Sequence, residues 1–402
     1  MRLKEICDYI SRGTTPDYVD ESPYKVMNQA TFSKGWLDES NLRYTSKNVR
    51  EAQIRKGDLL MASTGGGVLG KVFFFDSDDT SFYADSHVSI LRNSKGKNLM
   101  KYLYYVFSIK YDEINATMVK GSTNQTELQR NYLLAYELDM PPLSKQQLIV
   151  DYLDEKLGNI DERIAVLEKQ QDAYARLKKS IIYHTVTRGL NSNVSLKDSG
   201  VDWIGMIPEH WELRRFKSIF TECKSITQTG EENLLSVSEY YGVARRIDKM
   251  EDGEYESRAN SLIGYKVCKK NDLVINIMLA WKRGLGFSNF DGIVSPAYAV
   301  YRGKNIVPHY FHYLMRTDMY VTEYKRNSKG IIDSRLRMYT DRFNNIMSIF
   351  PPIPEQQTIA DYLDEKCSKI DAAIENIGKQ INALKRLKRA LINEVITGQR
   401  AV

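Results

Sequence analysis

From Leu153 onward, apolar side chains fall at alternating steps of four and three, and positions 153, 157, 160, 164 and 167 read Leu, Leu, Ile, Ile, Leu. The same spacing returns at 363, 367, 370, 374, 377, 381 and 384, which read Leu, Cys, Ile, Ile, Ile, Ile, Leu. A period of about 3.5 residues lays one apolar seam along a helix, the signature of a coiled coil. The predicted core of such a helix pair is Leu153, Leu157, Ile160, Ile164 and Leu167 with Leu363, Ile370, Ile374, Ile377, Ile381 and Leu384. At the eighth seam position both stretches carry lysine, Lys178 and Lys388, just after Leu177 and Leu387, so the seam is expected to shift there. Ser144 with Gln147 resembles a capping box, and Pro354 suits a first helical position. Each helix, at about 44 residues and ~1.5 Å per residue, is a rod of roughly 65 Å. Two such rods in one chain are expected to pair antiparallel; the plainer alternative is that each packs alone on its own domain.

Outside the rods the pattern changes to short β-rich runs, such as residues 72–75, 88–91 and 273–277, bounded by Gly, Asp and Asn. These predict a mixed α+β, strand-rich fold. Residues 141–187 recur as 351–397 without a gap, 22 of 47 pairs being identical, so the chain is one unit of about 200 residues present twice. Landmarks elsewhere recur in order: 2–6 with 215–219, 55–60 with 269–274, 83–92 with 293–302, and the aromatic stretches 101–107 and 308–315. The predicted organisation is a globular domain over 1–143, a spacer helix over 144–189, a linker with an anchoring segment over 190–211, a second globular domain over 212–353 and a second spacer helix over 354–402. Trp203, Ile204, Ile207, Pro208 and Trp211 of the linker are expected to pack on the second domain.

At 402 residues, 42% hydrophobic and 27% charged, the composition is that of a globular protein with more than one core. No 18-residue apolar run and no secretory leader is visible, and the four cysteines (Cys7, Cys223, Cys268, Cys367) form no CxxC pair, so a reduced cytoplasmic setting without a zinc site or membrane span is expected. A net charge of +6 is compatible with nucleic acid but does not establish it.

Catalytic motifs are not recognisable. Residues 65–71 match G-x-x-x-x-G-K, but Val72 stands where a P-loop needs Ser or Thr, and a strand-like run follows. His309 and His312 read as core residues of an aromatic helix. Base readout instead calls for Arg or Lys against guanine and Asn or Gln against adenine. In the first domain Lys120, Ser122, Thr123, Asn124 and Gln125 concentrate such groups beside a glycine, with Lys71, Asn28 and Gln29 as weaker candidates. In the second, the matching loop offers Lys325, Arg326 and Lys329, followed by Arg335 and Arg337. Lys282 and Arg283 sit in the counterpart of the glycine turn, and Arg245 with Arg246 is a further pair. For any single one of these, a solvated surface charge is the competing explanation. The basic residues at the rod ends (Arg176, Lys178, Lys179, Lys385, Arg386, Lys388, Arg389) face either a DNA spacer or plain solvent.

Two divergent domains alternating with two repeated helices, the PP-x-x-x-QQ-x-I-x-x-YLD-x-K lead-in to each helix, and the DSGVDWIGMIPEHWELRR linker together resemble the specificity subunit of a type I restriction–modification enzyme. One departure from that pattern is that the sequence starts directly at Met1-Arg2-Leu3, without a counterpart of the Trp-Ile-Gly-x-Ile-Pro-x-x-Trp anchor that precedes the second domain. The resemblance implies two target recognition domains, each reading one half of a bipartite, asymmetric duplex DNA site. It implies that the helices dock two modification subunits, which bind S-adenosylmethionine and methylate adenine, and that restriction subunits using ATP and Mg join them. This chain would then be non-catalytic, holding no cofactor or metal of its own. A coiled-coil adaptor presenting two protein-binding domains is the alternative the residues admit.

Overall fold

The structure, a computed structural model, describes residues 1–47, 49–96, 99–120, 126–249 and 261–402. The chain divides into two compact units, residues 1–168 with 379–402, and residues 169–378. Each takes the first part of one long helix and the last part of the other.

In the first unit, strands β1 (Tyr9–Arg12), β2 (Leu59–Ala62), β3 (Val72–Phe74) and β4 (Val88–Arg92) form an antiparallel sheet in the order β1-β4-β2-β3. Every residue of β2 is buried, which is why it reads as a continuous apolar run rather than an alternating one. A second small sheet joins Tyr18–Val19, Arg43–Thr45, Lys25–Met27 and Phe82–Ala84. Helix α1 (Met100–Ile109) covers the first sheet with Tyr102, Leu103, Val106 and Phe107. The N-terminal edge is closed by backbone pairing: the Met1 amine donates to the Leu138 carbonyl, and the Leu138 N–H to Met1, both at 2.8 Å. Helix α2 (Leu143–Arg188) follows, and Leu153 and Leu157 share this unit's core with Leu391, Ile392 and Val395.

The second unit repeats the plan. Strands β5 (Phe220–Glu222), β8 (Leu273–Asn276), β9 (Leu285–Phe287) and β10 (Tyr298–Gly303) give the order β5-β10-β8-β9, again antiparallel. Between β5 and β8 lies a hairpin of β6 (Leu235–Ser238) and β7 (Gly242–Arg245). Helices α3 (Pro308–Met315) and α4 (Asp318–Asn327) precede the last long helix, α5 (Ile353–Ile396). The linker is part of the core: Ile204, Ile207 and Trp211 are buried, and Trp203 meets Tyr320 edge-on at 5.1 Å. The Trp211 indole N–H donates to Glu355 at 2.9 Å, tying the linker to the first turn of α5.

The long helices pack together antiparallel, the start of α5 lying with the end of α2 in one unit and the start of α2 with the end of α5 in the other. Leu153, Leu157, Ile164, Leu167, Leu363, Ile370, Ile377 and Ile381 are buried, and Ile160, Ile374 and Leu384 half-buried. Where the seam shifts, each lysine turns outward to an acid on the facing helix. Lys178 bonds both carboxylate oxygens of Asp371 at 2.7 and 2.6 Å, and Lys388 does the same to Asp161 at the same distances. Lys385 lies 3.7 Å from Glu168. These rod-end lysines are therefore engaged in holding helix to helix.

The helix starts differ from the capping expectation. α2 begins at Leu143, ahead of Ser144, and Pro354 is the second residue of α5. A buried glutamine seats each helix instead. Gln146 donates to the Pro141 carbonyl at 2.8 Å and accepts the Leu99 N–H at 2.9 Å; Gln356 repeats this with Pro351 at 2.8 Å and Val307 at 3.0 Å. One side chain thus satisfies a backbone group of the helix lead-in and another of the aromatic helix start, which a local capping pattern does not anticipate.

Candidate nucleic-acid interface

In the second unit the β8–β9 connection is a tight turn in which Arg283 adopts left-handed backbone (φ 62°). A Cβ on Gly284 would lie 2.6 Å from the Leu279 Cβ, so the turn requires glycine there. Trp281 is held by its indole N–H on the Met278 carbonyl at 3.1 Å, and the ammonium groups of Lys282 and Lys325 lie 5.0 and 5.2 Å from its ring centre.

The Arg283 side chain is not presented outward. It pairs with Asp318 and donates to the Arg316 carbonyl at 3.1 Å. Arg316, absent from the sequence-based candidates, organises this region. Its guanidinium donates to the carbonyls of Arg283 and Leu285, both at 2.7 Å, and to those of Glu239 at 2.8 Å and Tyr240 at 3.2 Å. It binds the β6–β7 turn and the β8–β9 turn to the start of α4. Burial, and then Arg283, lower its pKa to about 10, so it remains charged near neutrality.

The loop after α4 is closed by Lys329 and Arg337, which exchange backbone hydrogen bonds at 2.9 Å each way. The Met338 N–H donates to Ile277 at 2.9 Å and stitches this loop to the β8–β9 turn. Lys282, Lys325, Arg326, Lys329, Arg335 and Arg337 are therefore carried on two connected segments. Lys325 pairs with Asp333 at 3.0 Å, Arg326 lies 3.9 Å from Glu323, and Arg337 donates to the Leu336 carbonyl at 2.9 Å. Arg335 is exposed on a short 3-10 turn, Asp333–Arg335. Arg245 stands apart from this group, at the open end of the β6–β7 hairpin, paired with Asp248 at 2.8 Å and 5.0 Å from the Phe290 ring centre. Arg246 follows it, half-buried, its N–H on Leu234 at 2.9 Å.

The first unit has the same arrangement. Residues 63–71 connect β2 to β3, with Gly65, Gly67 and Gly70 at positive φ, and a strand follows where a phosphate-binding loop would need a helix. The Leu128 N–H donates to Ser63 at 2.9 Å, the counterpart of the Met338–Ile277 bond. The Lys71 ammonium is engaged, donating to the Ser33 carbonyl at 3.0 Å, and Asn28 caps a short helix, accepting the Ala30 N–H at 2.8 Å. Gln29 lies beside Gly65. Ser122, Thr123, Asn124 and Gln125 lie outside the described residues, as does the side chain of Lys120.

The two histidines do not behave alike. His312 is packed inward, its pKa lowered to about 3 by burial and then by Arg316. His309, expected in the core, is exposed and bonds Asp364 at 3.0 Å, because its face of α3 meets the surface of α5. Asp364 also accepts the Tyr313 hydroxyl at 2.7 Å, and its repeat partner Asp154 accepts Tyr105 and Lys101. Burial raises the thiols of Cys7 and Cys268 to about 12, which leaves them without nucleophilic character near neutral pH. No helix among the described residues is long and apolar enough to cross a membrane.

Residues 1–172 match the family described as the type I restriction modification DNA specificity domain. The chain is 26% identical over 219 residues to a putative type I restriction enzyme MjaX specificity subunit from Methanocaldococcus jannaschii, an alignment spanning 52% of this chain and about half (50%) of that relative. It is 22% identical over 420 residues to the MjaVIII specificity subunit of the same organism, spanning 99% of this chain and 92% of the relative. Identity to the Escherichia coli EcoBI specificity subunit is 22%, over 74% of this chain and 65% of the relative. Among solved structures, a chain from work on complex assembly and conformational transition of the type I R-M system shares the fold with a TM-score of 0.69 at 14% identity, covering 98% of this chain and 96% of the other. The HsdS subunit of Thermoanaerobacter tengcongensis gives 0.51 at 15% identity, covering 100% and 96%. The duplicated sheet-and-helix plan, the family match over residues 1–172 and the shared fold agree, and the chain is similar along its length to type I restriction–modification specificity subunits.

Proposed function

We propose that this chain is the non-catalytic DNA-reading subunit of a cytoplasmic type I restriction–modification complex, each globular domain reading one half of a bipartite, asymmetric duplex site. One observation carries the reading: the two units share a sheet order and the stitching of the late loop to the β-hairpin turn, yet present different side chains there. The first offers a glycine turn, the second Trp281 and a basic loop. A shared scaffold with divergent tips is what two unlike half-sites require.

The helix pair sets the spacing between half-sites and docks two modification subunits. In support, Leu177 and Leu387, equivalent in the repeat, are 47% and 51% exposed, an apolar foothold present once in each unit. Methyl transfer from S-adenosylmethionine to adenine, and ATP- and Mg-dependent restriction, belong to those partner subunits and to the restriction subunits.

The test is to sequence methylated adenines in a host carrying this chain and its modification subunit. The expected motif is bipartite with two unlike halves; a continuous motif, or none, refutes the reading. Lys329→Ala and Arg326→Ala should weaken binding or relax one half only. In native mass spectrometry, Leu177→Glu and Leu387→Glu should each reduce the bound modification subunits from two to one. Two subunits retained by both variants would refute the docking surface.

A further inference from the structure

The tip of the loop after α4 carries an isoleucine that no described residue of the domain covers. Ile331 is 101% exposed, and Ile332 beside it 53%. An aliphatic side chain held fully in water on a defined loop is a contact awaiting a partner.

The loop is built rather than slack. Lys329 and Arg337 close its stem by two backbone bonds, and Gly330 takes φ 152°, where a Cβ would lie 2.6 Å from the Arg335 carbonyl. The Arg335 N–H donates to Ile332 at 2.9 Å, and the Lys325–Asp333 pair ties the tip back to α4. Residues 325–337 hold five basic side chains against one acid, and that acid is taken by Lys325. Such a surround favours a polyanion over an apolar protein groove.

We propose that Ile331 reads a thymine C5-methyl group in the major groove of the half-site bound by the second domain, while the basic residues around it hold the phosphates. This rests on the DNA-reading function proposed above. The methyl group is the apolar feature of the major groove, and aliphatic contact with it distinguishes thymine. A wedge driven between base pairs is the other use of an isoleucine on DNA, but it must be braced from behind to unstack a step. Ile331, 101% exposed, has no bracing contact among the described residues, whereas touching a methyl group asks for none.

The experiment uses the chain assembled with its modification subunit, on duplexes carrying the methylated motif, with each thymine in turn replaced by deoxyuridine. One replacement should weaken wild-type binding about 5–10-fold, the scale of a lost base contact. Ile331→Ala should weaken binding to the intact duplex by the same factor, become insensitive to that replacement, and leave the salt slope unchanged. Ile331→Val should retain most of the discrimination. Wild-type affinity in Ile331→Ala, or indifference of the wild type to every replacement, overturns the inference while salt-dependent binding and a bipartite motif leave the function standing. Permanganate-reactive thymines that vanish in Ile331→Ala would show a wedge and overturn it too. Absence of salt-dependent duplex binding overturns both.

Discussion

Replacing Arg316 with methionine removes one guanidinium and unties three segments of the second unit at once. The aliphatic stem is kept, so packing changes little and the effect isolates the hydrogen bonds. Two of the four acceptors, on Arg283 and Leu285, are reached by the same nitrogen at 2.7 Å, and Leu285 is buried, so water cannot replace that donor well. The Tyr240 acceptor is at an exposed residue and regains water readily. Hydrogen bonds to a charged group contribute about 1.5–3 kcal/mol each when buried and much less when exposed. Desolvation of the guanidinium, visible in its lowered pKa, offsets part of the sum. The net expectation is a loss of about 2–4 kcal/mol, or roughly 5–12 °C in the melting of the second unit. Hydrogen exchange should accelerate in the β6–β7 and β8–β9 turns, and DNA affinity should fall with it. Arg316→Lys, a point donor without the fork, should recover less than half of the loss. A melting temperature within about 1 °C of wild type, with unchanged exchange in both turns, would refute the role given to Arg316.

Asp58 and Asp272 are equivalent buried carboxylates, each gripped by an arginine, but Arg92 is 13% exposed and Arg302 58%. Arg92→Met should cost about 3–4 kcal/mol by stranding a charge, and Arg302→Met about 1 kcal/mol because solvent takes over, as read by denaturant unfolding. Equal losses would contradict the burial argument. His312 is held near a pKa of about 3 against 6.5 when unfolded, so the unfolded chain binds the extra proton between those values. The stability it contributes is present above pH 6.5 and is lost progressively as pH falls towards about 3. Burial lowers this ring's pKa most, Arg316 and His309 lower it further, and Asp364 opposes them without reversing the shift. His312→Phe should flatten the stability profile between about pH 5 and 6.5, and an unchanged slope there would exclude His312 as its source.

Much of this plan was legible in local pattern. The seam from Leu153 to Leu167 and from Leu363 to Leu384 is a periodicity, and a coiled coil needs little else to declare itself. The lysines at 178 and 388 marked a change in the seam, but that they reach Asp371 and Asp161 depends on which face the partner helix brings round. Gln146 and Gln356 were visible as repeated letters and silent as to role, because one of the two groups each satisfies lies 47 or 49 residues away along the chain. Arg283 read as a candidate DNA contact and Arg316 was passed over. Both are absorbed into turns whose carbonyls converge only after the sheet forms. His309 and His312, three residues apart, were given one environment and have two, since α3 is clasped on one face and open on the other.

Duplication, helix length and the strand-rich character of the two domains were determined by the sequence itself, since each rests on spacing between near neighbours. Which cations stand ready and which are spent, where the hairpin turns meet the late loops, and how each long helix is divided between units were decided by tertiary structure. The physical reason is the same throughout. A side chain's partner is set by long-range closure of the chain, whereas its period is set by the residues beside it.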